Sequence, residues 1–154
     1  MPMTSTDRIE KKALLHAPRA RVWRALTDAR EFGQWFGVDL AGTFAPGAHL
    51  KGKITHKGYE HLTMDITVER MEPERLVSWR WHPYAIDPGV DYSGEPTTLV
   101  VFELEEVESG TQLTVVESGF DRIPAARRAE AYRMNDEGWT AQMESITRHV
   151  GQAK

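Results

Sequence analysis

The sequence predicts an α+β domain in which a curved, mostly antiparallel sheet of about six to seven strands lies against one long C-terminal helix. Three observations carry that expectation. Residues 125–150 place Tyr132, Trp139, Met143, Ile146 and Val150 at three-, four- and seven-residue spacing with charged side chains between them, the mark of an amphipathic helix long enough to cover a sheet. Residues 38–116 change to a two-residue period broken by short turns. Two short helical patterns stand between the first strand and the rest of the sheet.

Residues 9–15 read as the first strand, halted at the His16-Ala17-Pro18 corner. Pro18 suits a first helical position, where its missing N–H has no partner to lose, and Val22, Trp23, Ala25 and Leu26 supply an apolar stripe as far as Thr27. Asp28 followed by Glu31 predicts a capping box for a second short helix, which carries Phe32, Trp35 and Phe36 and ends at Gly37. Strands are then expected at 38–40 and 49–56 around the Pro46-Gly47 turn, and at 62–69, where Leu62, Met64, Ile66 and Val68 alternate with polar residues. Further strands fall at 76–82, 100–104 and 113–118. Successive strands joined by short turns make the sheet mostly antiparallel. The connection 83–97, with Tyr84, Pro88-Gly89, Tyr92, Gly94 and Pro96, is too long for a plain turn and reads as a lid or a mobile connector.

The 154 residues, 40% of them hydrophobic, suffice for one domain spanning 1–154 with its core between about 9 and 150. A net charge of -4 from 19 basic and 23 acidic residues, with no long single-sign block, gives no reason to expect nucleic acid or an anionic membrane as partner. The absence of cysteine excludes disulfides, thiolate-held iron-sulfur clusters and thiol nucleophiles. Ser78, Ser93 and Ser118 lack nucleophile-elbow surroundings, and no glycine-rich phosphate loop links a strand to a helix. His49, His56 and His61 are spaced so that they do not converge, so neither a metal nor a cofactor is expected. A polar N-terminus and the lack of an apolar run of membrane-spanning length predict a cytoplasmic protein.

The order strand, two helices, about six strands and long helix is joined by local matches: Ala17-Pro18 leading to Val22-Trp23-Arg24-Ala25-Leu26-Thr27-Asp28, then residues 32–37, residues 111–120 and Gly138-Trp139. Together they resemble the family of activators of the heat-shock-chaperone ATPase (AHSA-like), within the START and polyketide-cyclase superfamily. The resemblance covers nearly the whole chain and implies a helix-grip fold, a curved antiparallel sheet wrapped around the C-terminal helix and enclosing a cavity. What it implies for function is broad, since the superfamily includes lipid carriers, cyclases, hormone receptors and stress-response co-chaperone domains.

A pocket is expected where Trp35, Phe36, Met64, Phe102, Trp139 and Met143 meet between sheet and helix, although the same side chains also suit an ordinary core. Glu117 follows Leu113 and Val115 in register and should point inward. There it is a ligand anchor, a general base, or one half of a buried ion pair with an arginine such as Arg80. His82, Tyr84 and Tyr92 either line an entrance or are solvated loop residues. Gly138 is expected to let the helix approach the sheet closely. The reading that needs least is binding of a small hydrophobic or aromatic molecule. The alternatives are an enzyme of the cyclase, aromatase or dehydratase type, with Glu117 or His82 moving protons, and a co-chaperone-like module, for which the sequence offers no exposed contact face.

Overall fold

The computed structural model describes residues 7–85 and 89–151. Strand β1 (Arg8–Leu15) is followed by helices α1 (Arg19–Thr27) and α2 (Ala29–Phe36), then β2 (Val38–Ala41), β3 (His49–Ile54), β4 (Thr63–Glu72), β5 (Leu76–Trp81), β6 (Thr98–Val107) and β7 (Gly110–Ser118). A 3-10 turn (Phe120–Arg122) leads into helix α3 (Ala125–Gly151). Among the described residues the strands form one seven-stranded sheet in the order β1-β7-β6-β5-β4-β3-β2, with every neighbouring pair antiparallel.

The two-residue period decides which face of the sheet is core. Met64, Ile66 and Val68 of β4, Val100, Phe102 and Leu104 of β6, and Leu113 and Val115 of β7 are all buried, and α3 covers them with Ala131, Trp139, Met143, Ile146 and Val150. Tyr132, expected on that stripe, lies at its edge: it packs against Phe120, and its hydroxyl donates to the Arg8 carbonyl at 2.8 Å. Strand β5 corrects the expected register. Its buried positions include Val77 and Trp79, with Trp81 on the same side, so Arg80 turns to the opposite face and pairs there with Glu69 of β4. A bulge between Val68 and Arg70 accompanies this pairing.

The small helices differ from expectation in detail. Pro18 is the residue before α1, and its carbonyl accepts from the N–H groups of Arg21 and Val22. Asp28 caps α2 by accepting the Glu31 N–H at 3.1 Å, as the capping-box pattern predicts, and Gly37 closes the helix in the left-handed conformation with φ 93°. The reciprocal half of the box is absent, because the Glu31 carboxylate is recruited elsewhere. It accepts from Arg21 Nη1 at 2.7 Å, Arg24 Nε at 2.6 Å and His149 Nε2 at 2.9 Å, tying α1 and α2 to the end of α3. Partial burial disfavours the charge on Glu31, yet the bonds from His149, Arg24 and Arg21 outweigh it and hold the pKa down to about 2.

A depressed carboxylate pKa adds stability that is present above its unfolded value of about 4.5 and is lost as pH falls through the folded value. Glu31→Gln is therefore expected to cost on the order of 1 kcal/mol at pH 6, allowing for the partial exposure of the cluster. The deficit should shrink towards zero as urea titrations are taken from pH 4.5 down to pH 2. A deficit that stays constant over that range would mean the carboxylate is not ionised against these partners.

Candidate functional site

Where α3 crosses the β3–β5 side of the sheet, the two separate and leave an open-mouthed cleft of about 510 Å³. Phe36, the last residue of α2 before Gly37 turns the chain into β2, lines one side. Ile54, Leu62, Met64 and Trp81 form the sheet side, Met134, Asn135, Gly138, Ala141 and Gln142 the helix side, and His56, Tyr59, His82, Tyr84 and Tyr92 the rim. A smaller recess of about 110 Å³ opens beside it, lined by Phe36, Trp81, Trp139, Asn135, Gly138 and Gln142. The centroids of Phe36, Trp81 and Trp139 form a nearly equilateral triangle, 6.2, 6.1 and 6.1 Å on a side.

Glu117 lies at the Nε1 edges of the two indoles, 0% exposed, at the inward position that its alternation with Leu113 and Val115 predicts. It does not pair with Arg80. Its Oε1 accepts from Trp139 Nε1 at 2.8 Å and Asn135 Nδ2 at 2.9 Å, and its Oε2 accepts from Trp81 Nε1 at 2.7 Å and from the Thr98 hydroxyl. Two bonds to each oxygen fill the lone-pair positions of a carboxylate. Burial pushes the Glu117 pKa upward, and the bonds from Thr98, Trp81, Trp139 and Asn135 each pull against that. Indole N–H and amide NH₂ groups cannot accept a proton bond, so of its four partners only Thr98 suits the protonated acid, whereas the anion satisfies all four. Glu117 is thus a carboxylate solvated by neutral donors, and it fixes the orientation of both indoles that face the recess. With no exposed surface and both oxygens bonded, it lines neither the cleft nor its recess.

The other expected site residues divide. Phe36, Met64, His82 and Tyr84 line the cleft, and Trp139 lines its recess. Trp35 is core: its indole donates to the Ala25 carbonyl at 2.8 Å. Phe102 packs behind Trp139 at 5.7 Å, away from the cleft, and Met143 faces a separate groove beside Lys11 and Lys12. Arg80 is on the outer face. Gly138 overturns its expected role, since an added Cβ there meets nothing within 4 Å; the helix does not touch the sheet at that point, and the glycine instead opens the cleft. Gly33 is where a close approach occurs, its Cβ position lying 2.0 Å from the Val38 carbonyl oxygen. His49 bonds Asp65 on the solvent side of β3 and β4.

Trp81, Asn135 and Thr98 were not legible as site residues. The signal for Trp81 was its two-residue spacing from Trp79; for Asn135 it was an amide four residues before Trp139, on the same helical face.

Tyr84, Ala85 and Tyr92 of the connection 83–97 line the cleft, and residues 86–88 of that connection, with the expected Pro88, lie outside the described residues. Arg127, in the first turn of α3, holds the connection from below. Its Nε donates to Glu95 at 2.9 Å and its Nη1 to the Pro83 carbonyl at 2.7 Å, and the guanidinium lies 4.8 Å from the Tyr92 ring centroid. His82 Nε2 donates to the Glu95 carbonyl at 3.0 Å, so in the neutral ring Nδ1 is the acceptor. Tyr84 sits in the left-handed region with φ 49°, uncommon for an aromatic residue. Arg127→Ala is expected to speed hydrogen exchange of residues 89–97 by tenfold or more on the order-of-magnitude scale of a lost charged bond. Unchanged exchange would show that the connection is held by other contacts.

The family description Activator of Hsp90 ATPase homolog 1-like protein matches residues 16–151. The chain belongs to that family. Solved structures share its fold along nearly its full length. Protein MLL2253 from Mesorhizobium loti is 24% identical with a TM-score of 0.75, over 96% of this chain and 98% of that one. The Aha1 dimer from Colwellia psychrerythraea is 20% identical with a TM-score of 0.69, over 96% and 98%. DynU16, a putative protein in the dynemicin biosynthetic locus, is 26% identical with a TM-score of 0.73; the match takes in 96% of this chain but 48% of DynU16. No curated protein matches the chain. The architecture is the helix-grip arrangement, a seven-stranded antiparallel sheet with a long C-terminal helix laid across it. No helix among the described residues is long and apolar enough to cross a membrane.

Proposed function

We propose that this member of the family binds a small hydrophobic or aromatic molecule in the cleft between α3 and the sheet. The observation that carries the reading is the recess floor. A fully buried carboxylate orients two tryptophans toward open space, and a core that needed only to be packed would have filled that space with side chains instead. The volume of about 510 Å³ lies within the range of small-molecule sites, and apolar walls with a few polar groups are the usual lining of such sites. Gln142 and Asn135 on the helix side, and His82 at the rim, supply polar contacts that fix orientation.

A second reading, an enzyme of the cyclase or dehydratase type in the same pocket, is favoured by the likeness to DynU16, which comes from a biosynthetic locus. In that case proton transfer falls to His82 through Nδ1, because Glu117 is enclosed. Native mass spectrometry of the protein purified from its natural host tests the first reading. A small molecule released on denaturation is the expected result. Protein that is empty there, and that also fails to take up apolar aromatic probes, contradicts it. Conversion of the released molecule on prolonged incubation, lost in His82→Ala, would move the assignment to the second reading.

A further inference from the structure

We propose that the preferred occupant of the cleft is an organic cation, its ammonium or quaternary ammonium head seated in the Phe36, Trp81 and Trp139 cup and its apolar body lying along Met64, Leu62, Ile54 and Tyr59. The inference deepens the small-molecule reading and rests on it. Three independent features of the same site converge on positive charge.

The first is the cup itself. Three aromatic centroids about equally spaced at 6.1–6.2 Å allow a cation over the middle of the triangle to lie within about 6 Å of all three at once, the range in which ring quadrupoles attract positive charge. The second is Glu117. Its four hydrogen-bond partners are all neutral, so the anion has no counter-charge among the described residues, and it is bonded directly to the N–H groups of two of the cup's three rings. Each indole N–H that donates to it leaves its ring richer in electron density, which strengthens the attraction of the ring for a cation. The third is the lining. No lysine or arginine lines the cleft or its recess among the described residues, and the carboxylate of Asp65, also on the wall, is turned away to His49 and Lys51. The titratable groups on the walls are Asp65 of β4, His56 and His82 on the loops, and Tyr59, Tyr84 and Tyr92. An anionic ligand would find no fixed cation on these walls and would lie against indoles bonded to the Glu117 carboxylate.

A matched pair of probes separates charge from shape. Phenylbutyltrimethylammonium and its carbon isostere, in which a quaternary carbon replaces the nitrogen, are titrated calorimetrically into the full chain at neutral pH. The cation is expected to bind about tenfold tighter, the scale of a desolvated cation–π contact. Biosynthetic replacement of tryptophan by difluorotryptophan, which withdraws ring electron density while leaving the fold in place, should erase most of that preference and leave the isostere's affinity unchanged. Folded Glu117→Gln protein should show the same loss of preference. Equal affinity of the two probes for the wild type overturns the cation assignment and leaves the small-molecule reading standing. Binding of neither probe overturns both. A preference for the cation that survives difluorotryptophan places the charge recognition outside the cup and overturns the proposed seat.

Discussion

Trp139→Ala is expected to lower the stability of the domain by about 4 kcal/mol, a large part of what a domain of this size has. The indole is 3% exposed and sits among Phe36, Trp79, Trp81 and Phe102, so its removal leaves a cavity in the middle of the aromatic cluster. The same substitution takes one of two donors from Glu117 Oε1, exposing a buried carboxylate oxygen to an unfilled void. Both effects act in one direction. Urea denaturation followed by far-UV circular dichroism measures the sum. A loss below about 1 kcal/mol would mean that α3 does not rest on the sheet through this residue.

Glu117→Gln is the second large effect, and its pH dependence carries more information than its size. The amide brings an NH₂ to one side of a site built of donors, so at least one indole N–H loses its acceptor, at a cost of about 1–3 kcal/mol. Thr98 can turn its hydroxyl to accept, and the amide nitrogen is therefore expected on the Trp81 side. The sign follows from linkage. A carboxyl whose folded pKa is raised contributes stability that is fully present below its unfolded value of about 4.5 and falls away as pH rises through the folded value. Glutamine has no such dependence. The gap between wild type and variant should therefore be widest at and below about pH 4.5 and narrow as the pH rises above that value, the reverse in direction of the Glu31 effect and on the other side of the unfolded value. A gap that widened with rising pH would mean that the four donors outweigh burial and that the folded pKa lies below 4.5.

The parts of the structure that were legible in the sequence are those set by local period. The helix 125–150 and the strand carrying Met64, Ile66 and Val68 follow from spacing alone, and so does the inward direction of Glu117, because a two-residue period leaves only two faces to choose between. Strand β5 was ambiguous for the same reason: Leu76 and Val77 are both apolar, and taking the parity from Leu76 put Arg80 inside. Trp79 and Trp81 decide for Val77. What no local pattern contains is the partnership around Glu117. Its donors come from β5, β6 and α3, between 18 and 36 residues away, and are brought together only by the antiparallel order of the sheet and the crossing of α3. Its neutral donor shell stands in place of the arginine that a buried carboxylate suggests, since four hydrogen bonds can hold the charge without a counter-ion. The role of Gly138 was misread because glycine beside tryptophan fits both a tight contact and an open space.

That open space gives the most direct test of the claim that the cleft is a ligand site. Gly138→Leu adds a side chain where nothing lies within 4 Å, on the wall shared by the cleft and its recess. Replacing a mid-helix glycine removes a helix penalty of about 0.5–1 kcal/mol, so the variant should be at least as stable as the wild type. Titration of the neutral dye Nile red into both proteins, followed by its fluorescence, is the measurement. The account predicts saturable binding to the wild type and a loss of tenfold or more in the equally stable Gly138→Leu protein, whereas undiminished binding in that variant would contradict it.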